Sequence, residues 1–303
     1  MKFKTTLLYP AVALLALTLV AKLNGASLML DFGQTNVTAP YLTLSPGHAL
    51  GAVPLTDVSW NKIASTAPNS SLVYGDGSAA PGVTLNLGQE ATAGNNIINY
   101  STAVGNLNLA GTGGAVSGQT NLLGPNSIYG NDNASTAVGR DGIFGGGTAT
   151  AGAAMGLRID GLASGAYLLY IMARNVNSDA ASVPMSIYAT TGASAGTFNF
   201  SSLTANTESN IGYAAATYAG QYTNFTAGEN FVSLNLNVTS GDSIFVAVDG
   251  GSASETRGFL NSLQITPAPE PGTMALAALG AGAWVIFRRK RRHVGITTTT
   301  PQS

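Results

Sequence analysis

Phe231–Val232–Ser233–Leu234–Asn235–Leu236–Asn237–Val238, then Thr239–Ser240–Gly241–Asp242, then Ser243–Ile244–Phe245–Val246–Ala247–Val248 is the stretch that decides the fold. In its first segment Val232, Leu234, Leu236 and Val238 alternate with Ser233, Asn235 and Asn237. A period of two puts the apolar set on one buried face of a strand, and the polar set with Phe231 on the other. The Gly-containing stretch Thr239–Asp242 reads as a tight hairpin. The last segment is rich in β-branched and aromatic residues, as strands are.

The same signature recurs on both sides. Leu28 to Phe32 opens with a short apolar strand, and Ser59 to Ile63 is a second. Val83, Leu85 and Leu87 alternate with Thr84 and Asn86, and Ile97 to Tyr100 is expected to pair with them across Gly94–Asn95–Asn96. Met155 to Ile159 and Tyr167 to Ala173 flank a turn at Asp160–Gly165, and Met185 to Ala189, Thr197 to Phe200, Ala214 to Tyr218 and Phe259 to Ile265 complete the set. Ser201 to Asn210 has room for one helical turn. No segment of useful length has a 3.6-residue period. Many short strands of this kind predict an all-β chain, a β-sandwich of jelly-roll type. A β-helix competes on composition, but no fixed repeat period is present. A division at Gly145–Gly147 would leave the first half too few strands to close a core. One passenger domain over residues 27–266 is therefore expected, with Leu28–Phe32 pairing with late strands.

Composition narrows the chemistry. The chain has no Cys, which excludes disulfides, iron–sulfur centres, thiolate metal sites and Cys nucleophiles together. Between residues 27 and 266 the basic residues are Lys62, Arg140, Arg158, Arg174 and Arg257, against thirteen acids, a net charge of about −8. An acidic surface argues against nucleic acid and anionic lipid as partners. Charged residues are only 9% of the chain, so Thr, Ser and Asn must face the water instead.

The two ends are addresses. Lys2 and Lys4, the apolar stretch Leu7 to Ala21, and small residues at Gly25, Ala26 and Ser27 make a secretory signal over residues 1–26. At the other end Pro269–Glu270–Pro271–Gly272 precedes the apolar run Met274 to Phe287 and the cluster Arg288–Arg289–Lys290–Arg291–Arg292. Residues 273–287 form a transmembrane segment shorter than the usual span of about 20 residues. The basic cluster favours the cytoplasmic side, which puts the passenger outside. Residues 293–303 read as a disordered Thr-rich tail.

This order of signal peptide, triplet, apolar run and Arg-rich end closely resembles the PEP-CTERM sorting signal of Gram-negative bacteria. The resemblance implies export by the general secretory route and transient insertion of the tail in the inner membrane. It also implies cleavage near the triplet by an exosortase, a transpeptidase-like membrane enzyme. The product would be released to, or attached at, the cell surface or extracellular matrix. On this reading the sorting residues are Pro269, Glu270, Pro271, Arg288, Arg289, Lys290, Arg291 and Arg292. Leu30–Asp31–Phe32–Gly33 and the stretch Gly258 to Ile265 resemble the first and last strands of galactose-binding-like jelly-roll domains that often precede such tails.

Catalytic candidates are sparse. The two His residues are His48 and His293, and His293 lies in the tail, so no His-based metal cluster fits in the passenger. A catalytic triad would have to use His48, in the loop Ser45–Pro46–Gly47–His48, without a Gly-x-Ser-x-Gly elbow. A solvent-exposed loop His is expected there. Calcium is the more reasonable ligand: Asn175, Asn177 and Asp179 alternate in a polar loop, Asn131–Asp132–Asn133 form a second cluster, and Asp31 lies at the start of the fold. Turn residues bonding their own backbone compete for the same pattern. Carbohydrate binding would use Trp60 with Asn61, or Tyr218, Tyr222 and Phe225 interleaved with Gln221 and Asn224, where packing competes. Three functions stand open: a noncatalytic surface or matrix protein, a carbohydrate-binding module acting on exopolysaccharide, and a secreted hydrolase.

Overall fold

Alternation along the strands becomes two facing sheets. The computed structural model describes residues 26–33, 36–64, 67–100, 108–110, 137–139, 141–148, 150–175, 183–210, 224–250 and 255–268. In chain order the strands are β1 (Leu28–Phe32), β2 (Asn61–Ile63), β3 (Thr84–Glu90), β4 (Ile97–Asn99), β5 (Asn108–Ala110), β6 (Gly142–Phe144), β7 (Gly147–Thr148), β8 (Ala151–Gly152) and β9 (Met155–Asp160). There follow β10 (Gly165–Met172), β11 (Met185–Ala193), β12 (Thr197–Asn199), β13 (Asn206–Glu208), β14 (Val232–Val238), β15 (Asp242–Gly250), β16 (Phe259–Leu260) and β17 (Ser262–Pro267). A five-stranded sheet has the order β14-β10-β17-β1-β2, and a seven-stranded sheet the order β12-β4-β3-β9-β15-β11-β13. Two small sheets, β16-β6-β5 and β7-β8, are added to these. Residues 26–267 make one compact unit.

The core lies between the two large sheets. Leu28, Leu30 and Phe32 of β1 meet Leu85 and Leu87 of β3, Leu157 and Ile159 of β9, Leu169 and Ile171 of β10, and Ile244, Val246 and Val248 of β15 in one buried cluster. Each such side chain contributes about 1.5–3 kcal/mol of burial free energy. Polar residues between them face outward, which explains how a chain with so few charges builds strands with two distinct faces. The early strand β1 is an interior strand of the five-stranded sheet: it pairs antiparallel with β17, as expected from the sequence, and parallel with β2.

The hairpin reading of Thr239–Asp242 needs correction. The turn is tight: the Asp242 amide donates to the Thr239 carbonyl at 3.0 Å, and Gly241 has φ +85°, which suits glycine. Yet β14 pairs with β10 in one sheet, whereas β15 pairs with β9 and β11 in the other. The turn therefore carries the chain across the core. The longer strands β9, β10, β11, β14, β15 and β17 change sheet at every step, the crossing pattern of a jelly roll. Turn chemistry specifies a tight reversal but not the partner, and two inward apolar faces satisfy either arrangement. A second correction concerns Ser201–Asn210. Its Asn206–Glu208 stretch is an edge strand pairing with β11, not a helical turn.

Both sheets carry a second apolar layer outside. On the five-stranded sheet Tyr170, Met172 and Phe231 are buried with Val37 and Val138, and Trp60, Tyr41 and Leu42 pack against them. The cover there includes the short helix α1 (Pro46–Ala49), tied down by the Gly47 amide donating to Gln264 Oε1 at 2.8 Å. On the seven-stranded sheet Ile98, Phe198, Phe200 and Phe245 are buried beside half-buried Tyr100 and Tyr188. The predicted strand Ala214–Tyr218, the signal peptide, the segment 273–287 and the tail 293–303 lie outside the described residues, apart from Ala26 at the end of the signal. Among the described residues no helix is long and apolar enough to cross a membrane.

Candidate functional site

His48 is not an exposed loop residue. It sits in α1 with 5% exposure. Its Nε2 lies 2.8 Å from the Asp57 carbonyl, and its Nδ1 lies 2.6 Å from Ser45 Oγ. A carbonyl accepts only, so Nε2 carries the proton and Nδ1 accepts from the Ser45 hydroxyl. Burial pushes the imidazole pKa down, against the opposing pull of the Asp57 carbonyl and carboxylate. Ser45 itself is fully buried. The pair resembles a serine–histidine couple in composition only, because both ring nitrogens and the hydroxyl bind α1 to its surroundings.

The sequence-level sugar candidates at Trp60 and Asn61 also belong to the scaffold. The Trp60 indole donates to the Leu42 carbonyl at 2.9 Å. The Asn61 amide donates to the Met29 and Val73 carbonyls at 2.9 and 2.7 Å and accepts from the Val73 amide at 2.8 Å. Both of its donor protons are used, and the residue is buried. Tyr218 and Tyr222 lie outside the described residues, as do Asn177 and Asp179 of the calcium candidate and the cluster Asn131–Asn133. The third member, Asn175, is buried and donates to Glu255 Oε2 at 2.8 Å. Glu255 is also held by Arg257, whose Nη2 lies 2.7 Å away.

A polar group missed in the sequence assembles on the outer face of the seven-stranded sheet. The Asp160 carboxylate accepts from Thr84 Oγ1 at 3.3 Å, Asn86 Nδ2 at 3.1 Å, Arg158 Nε at 3.0 Å and Ser243 Oγ at 2.5 Å. Burial pushes its pKa up, but hydrogen bonds from Ser243 and Ser194 and the Arg158 charge outweigh this and hold it below the usual value. The Arg158 guanidinium lies 5.6 Å from the Tyr100 ring centre and donates to the Ala195 carbonyl. Tyr100 and Phe245 lie 6.1 Å apart, and Phe198 and Phe245 5.3 Å. Register explains the grouping: Thr84 faces Asp160 and Asn86 faces Arg158 across β3 and β9, and Arg158 faces Phe245 across β9 and β15. Each is an ordinary outward strand position in the sequence. Only the pairing brings them together. Aromatic rings beside a guanidinium, an amide and hydroxyls supply the contacts that polyhydroxylated ligands need.

At the far end of the same face Asp249 has its pKa raised to about 6, first by burial and then by the charge of Glu90. The second carboxylate is already engaged. Glu90 Oε1 accepts from the Asn96 amide at 2.6 Å, and Oε2 accepts from the Gly94 and Ala154 amides at 3.0 and 2.9 Å. Among the described residues no group of three or more His, Asp or Glu has the arrangement of a metal centre.

No curated protein sequence matches the chain. Among solved structures, TmCBM61 in complex with β-1,4-galactotriose is 7% identical, with 61% of this chain and 88% of that one covered and a TM-score of 0.25. The xylan-binding module CBM15 is 13% identical, covering 58% of this chain and 99% of that one at a TM-score of 0.21. The K2 cleaved adhesin domain of Lys-gingipain is 11% identical, with 59% and 98% covered at 0.25. The match that speaks to handling in the cell begins at the last residue of β17: residues 267–292 fit the family model of the PEP-CTERM protein-sorting motif, so this chain carries that motif.

Proposed function

We propose that the chain is a noncatalytic exported protein of the cell surface or extracellular matrix, delivered by an exosortase in a Gram-negative bacterium. The observation that carries this reading is the sorting motif at residues 267–292, directly after the closing strand β17. The state of the passenger's reactive groups supports it. Ser45 and His48 are locked into α1, and Glu90 is saturated by three backbone amides. The sandwich is the cargo and the tail is the address.

A second reading, carbohydrate binding by the passenger, is favoured by the Arg158–Asp160 group beside Tyr100. Exopolysaccharide is the ligand class that fits a matrix location.

The sorting reading is tested by replacing Pro269, Glu270 and Pro271 together with Ala in an exosortase-bearing host. Intact-mass spectrometry of cell fractions should find the wild type shortened at its C-terminus and outside the inner membrane. The variant should keep its full tail and stay in the membrane fraction. Equal masses and equal fractionation would sink the proposal. Binding of the wild type and Arg158→Ala to a panel of polysaccharides decides the second reading, which fails if neither binds.

A further inference from the structure

Building on the sorting reading, we infer that the loop carrying Leu50, Leu55 and Val58 rests on a zwitterionic lipid surface while the tail holds the chain at the membrane. The burial pattern has one exception. Among the described residues the exposed large apolar side chains are Leu50, Leu55 and Val58, at 56%, 71% and 39% exposure. All three lie between residues 50 and 58. Exposed apolar residues scattered singly are ordinary, but a group of them in one place marks an interaction surface.

The loop is built, not slack. Leu50 ends α1, its amide donating to the Pro46 carbonyl at 3.0 Å, and the Ala52 and Val53 amides return to the Gly47 carbonyl at 2.9 and 3.0 Å. A turn over Pro54–Asp57 follows, in which the Asp57 amide donates to the Pro54 carbonyl at 2.9 Å. His48 Nε2 then donates to the Asp57 carbonyl at 2.8 Å and closes the loop at its base. The buried Ser45–His48 pair thereby keeps a surface loop in shape, with Leu50 and Leu55 held out in solvent.

Both ends of the passenger arrive beside this loop. The Thr266 hydroxyl donates to the Ala52 carbonyl at 3.3 Å, one residue before the end of β17. The Ser27 amide donates to Asp57 Oδ2 at 3.3 Å. The Ser27 carbonyl accepts from the Gly75 amide at 2.7 Å, and the Gly75 carbonyl accepts from the Val58 amide at 2.8 Å. Residues 268–272 are all that separates Pro267 from the apolar segment 273–287. That connection spans at most about 22 Å when fully extended, so a tail inserted in the bilayer keeps this end of the sandwich within the same distance of the lipid. Charge selects the kind of lipid. Residues 49–56 carry none, Asp57 is 4% exposed, and Asp76 stands exposed in the adjoining turn. A lone base on the strand that follows, Lys62, is not the basic cluster that draws anionic headgroups. Burial of apolar side chains at the interface is the driving force that remains.

The chain has no Cys, so Leu55→Cys gives a single position for a nitrobenzoxadiazole label. The full-length chain is reconstituted in phosphatidylcholine vesicles, with and without lipid bearing a nitroxide near the headgroup. Ala93→Cys, exposed in the turn after β3, is the control at the opposite end of the sandwich. It lies there because β3 starts opposite Asp160, where the chain turns into β10 and runs beside Pro267. A loop seated about 5–10 Å into the boundary should have its label quenched by about half, while the label at residue 93 is untouched. Adding Leu50→Asp to the Leu55→Cys chain should reduce quenching to the level at residue 93, with circular dichroism checking that the fold is kept. Flotation on a density gradient tells the two readings apart. A chain that floats with residue 55 in water overturns the inference and leaves the sorting reading standing, whereas a chain that does not float overturns both. A blue shift at residue 55 that grows with the protein-to-lipid ratio and escapes the nitroxide assigns the loop to a second copy, and also overturns the inference.

Discussion

Glu90→Ala should be among the most damaging single changes at the surface of the seven-stranded sheet. The carboxylate is 3% exposed and is the shared acceptor for the amides of Gly94, Asn96 and Ala154 at 3.0, 2.6 and 2.9 Å. Gly94 lies in an exposed turn and Asn96 is half-buried, so water replaces those bonds at a cost of about 0.5–1 kcal/mol each. Ala154 is fully buried, and losing a charged acceptor there costs about 1.5–3 kcal/mol. The sum is about 2.5–5 kcal/mol. For a domain of this size that lowers the melting temperature by about 5–20 °C, at about 2–4 °C per kcal/mol. Thermal and urea melts followed by circular dichroism measure it, with Glu90→Gln expected to fall between the wild type and Ala. A second readout is specific to the electrostatics. Asp249 owes part of its rise to about 6 to the Glu90 charge, after the larger effect of burial, so its carboxyl carbon should titrate lower in Glu90→Gln. A loss below 1 kcal/mol for Ala, or an unmoved Asp249 titration, would refute the reasoning.

Two further perturbations act through protons. Asp249→Asn should stabilise the domain at pH 7 by about 1–2 kcal/mol, since a pKa raised to about 6 makes the charge costly, an effect reduced here by partial exposure to solvent. The folded group keeps a proton that the unfolded one releases between about pH 4 and 6, so its contribution falls as pH rises through that window. The variant's advantage should vanish near pH 4, and urea midpoints at pH 4 and 7 check this; an advantage unchanged at pH 4 would contradict it. His48 acts in the opposite sense. Its pKa is lowered by burial, so its contribution is full above about pH 6.5 and is lost as pH falls. Its ring protons should titrate below 6.5 by NMR, and a midpoint at or above 6.5 would mean the ring reaches water.

Much of the fold was legible because side-chain alternation is a local property. Val83 to Leu87 and Phe231 to Val238 announce their faces within a few residues, and the structure places those faces as read. What no local pattern encodes is which strand lies beside which. The Thr239–Asp242 turn was therefore assigned to a hairpin when it crosses the core. The Trp60–Asn61 candidate fails for the same reason. Trp60 and Asn61 look like a sugar contact because aromatic–amide neighbours in a chain have that chemistry, but the Asn61 amide closes onto Met29 and Val73. The Thr84, Asn86, Arg158, Asp160 and Ser243 group spans three strands and is visible only once their register is known. The sorting motif at residues 267–292, by contrast, was legible because such a motif is read as linear sequence.

The net charge counted along the chain also changes meaning once folded. Asp31, Asp57, Glu90, Asp141, Glu208 and Glu255 are each 4% exposed or less. Several of them join segments far apart in sequence. Asp57 accepts from the Ser27 amide at 3.3 Å, Glu208 from the Ala173 amide at 2.7 Å, and Glu255 from the Asn175 amide group at 2.8 Å. In a domain with no Cys to cross-link its loops, carboxylates gather the backbone and side-chain donors that the strand ladders leave over. Burial pushes the pKa of Asp31 and Glu208 well up, which lowers the negative charge of the folded passenger below that count at a given pH. The acids serve the scaffold.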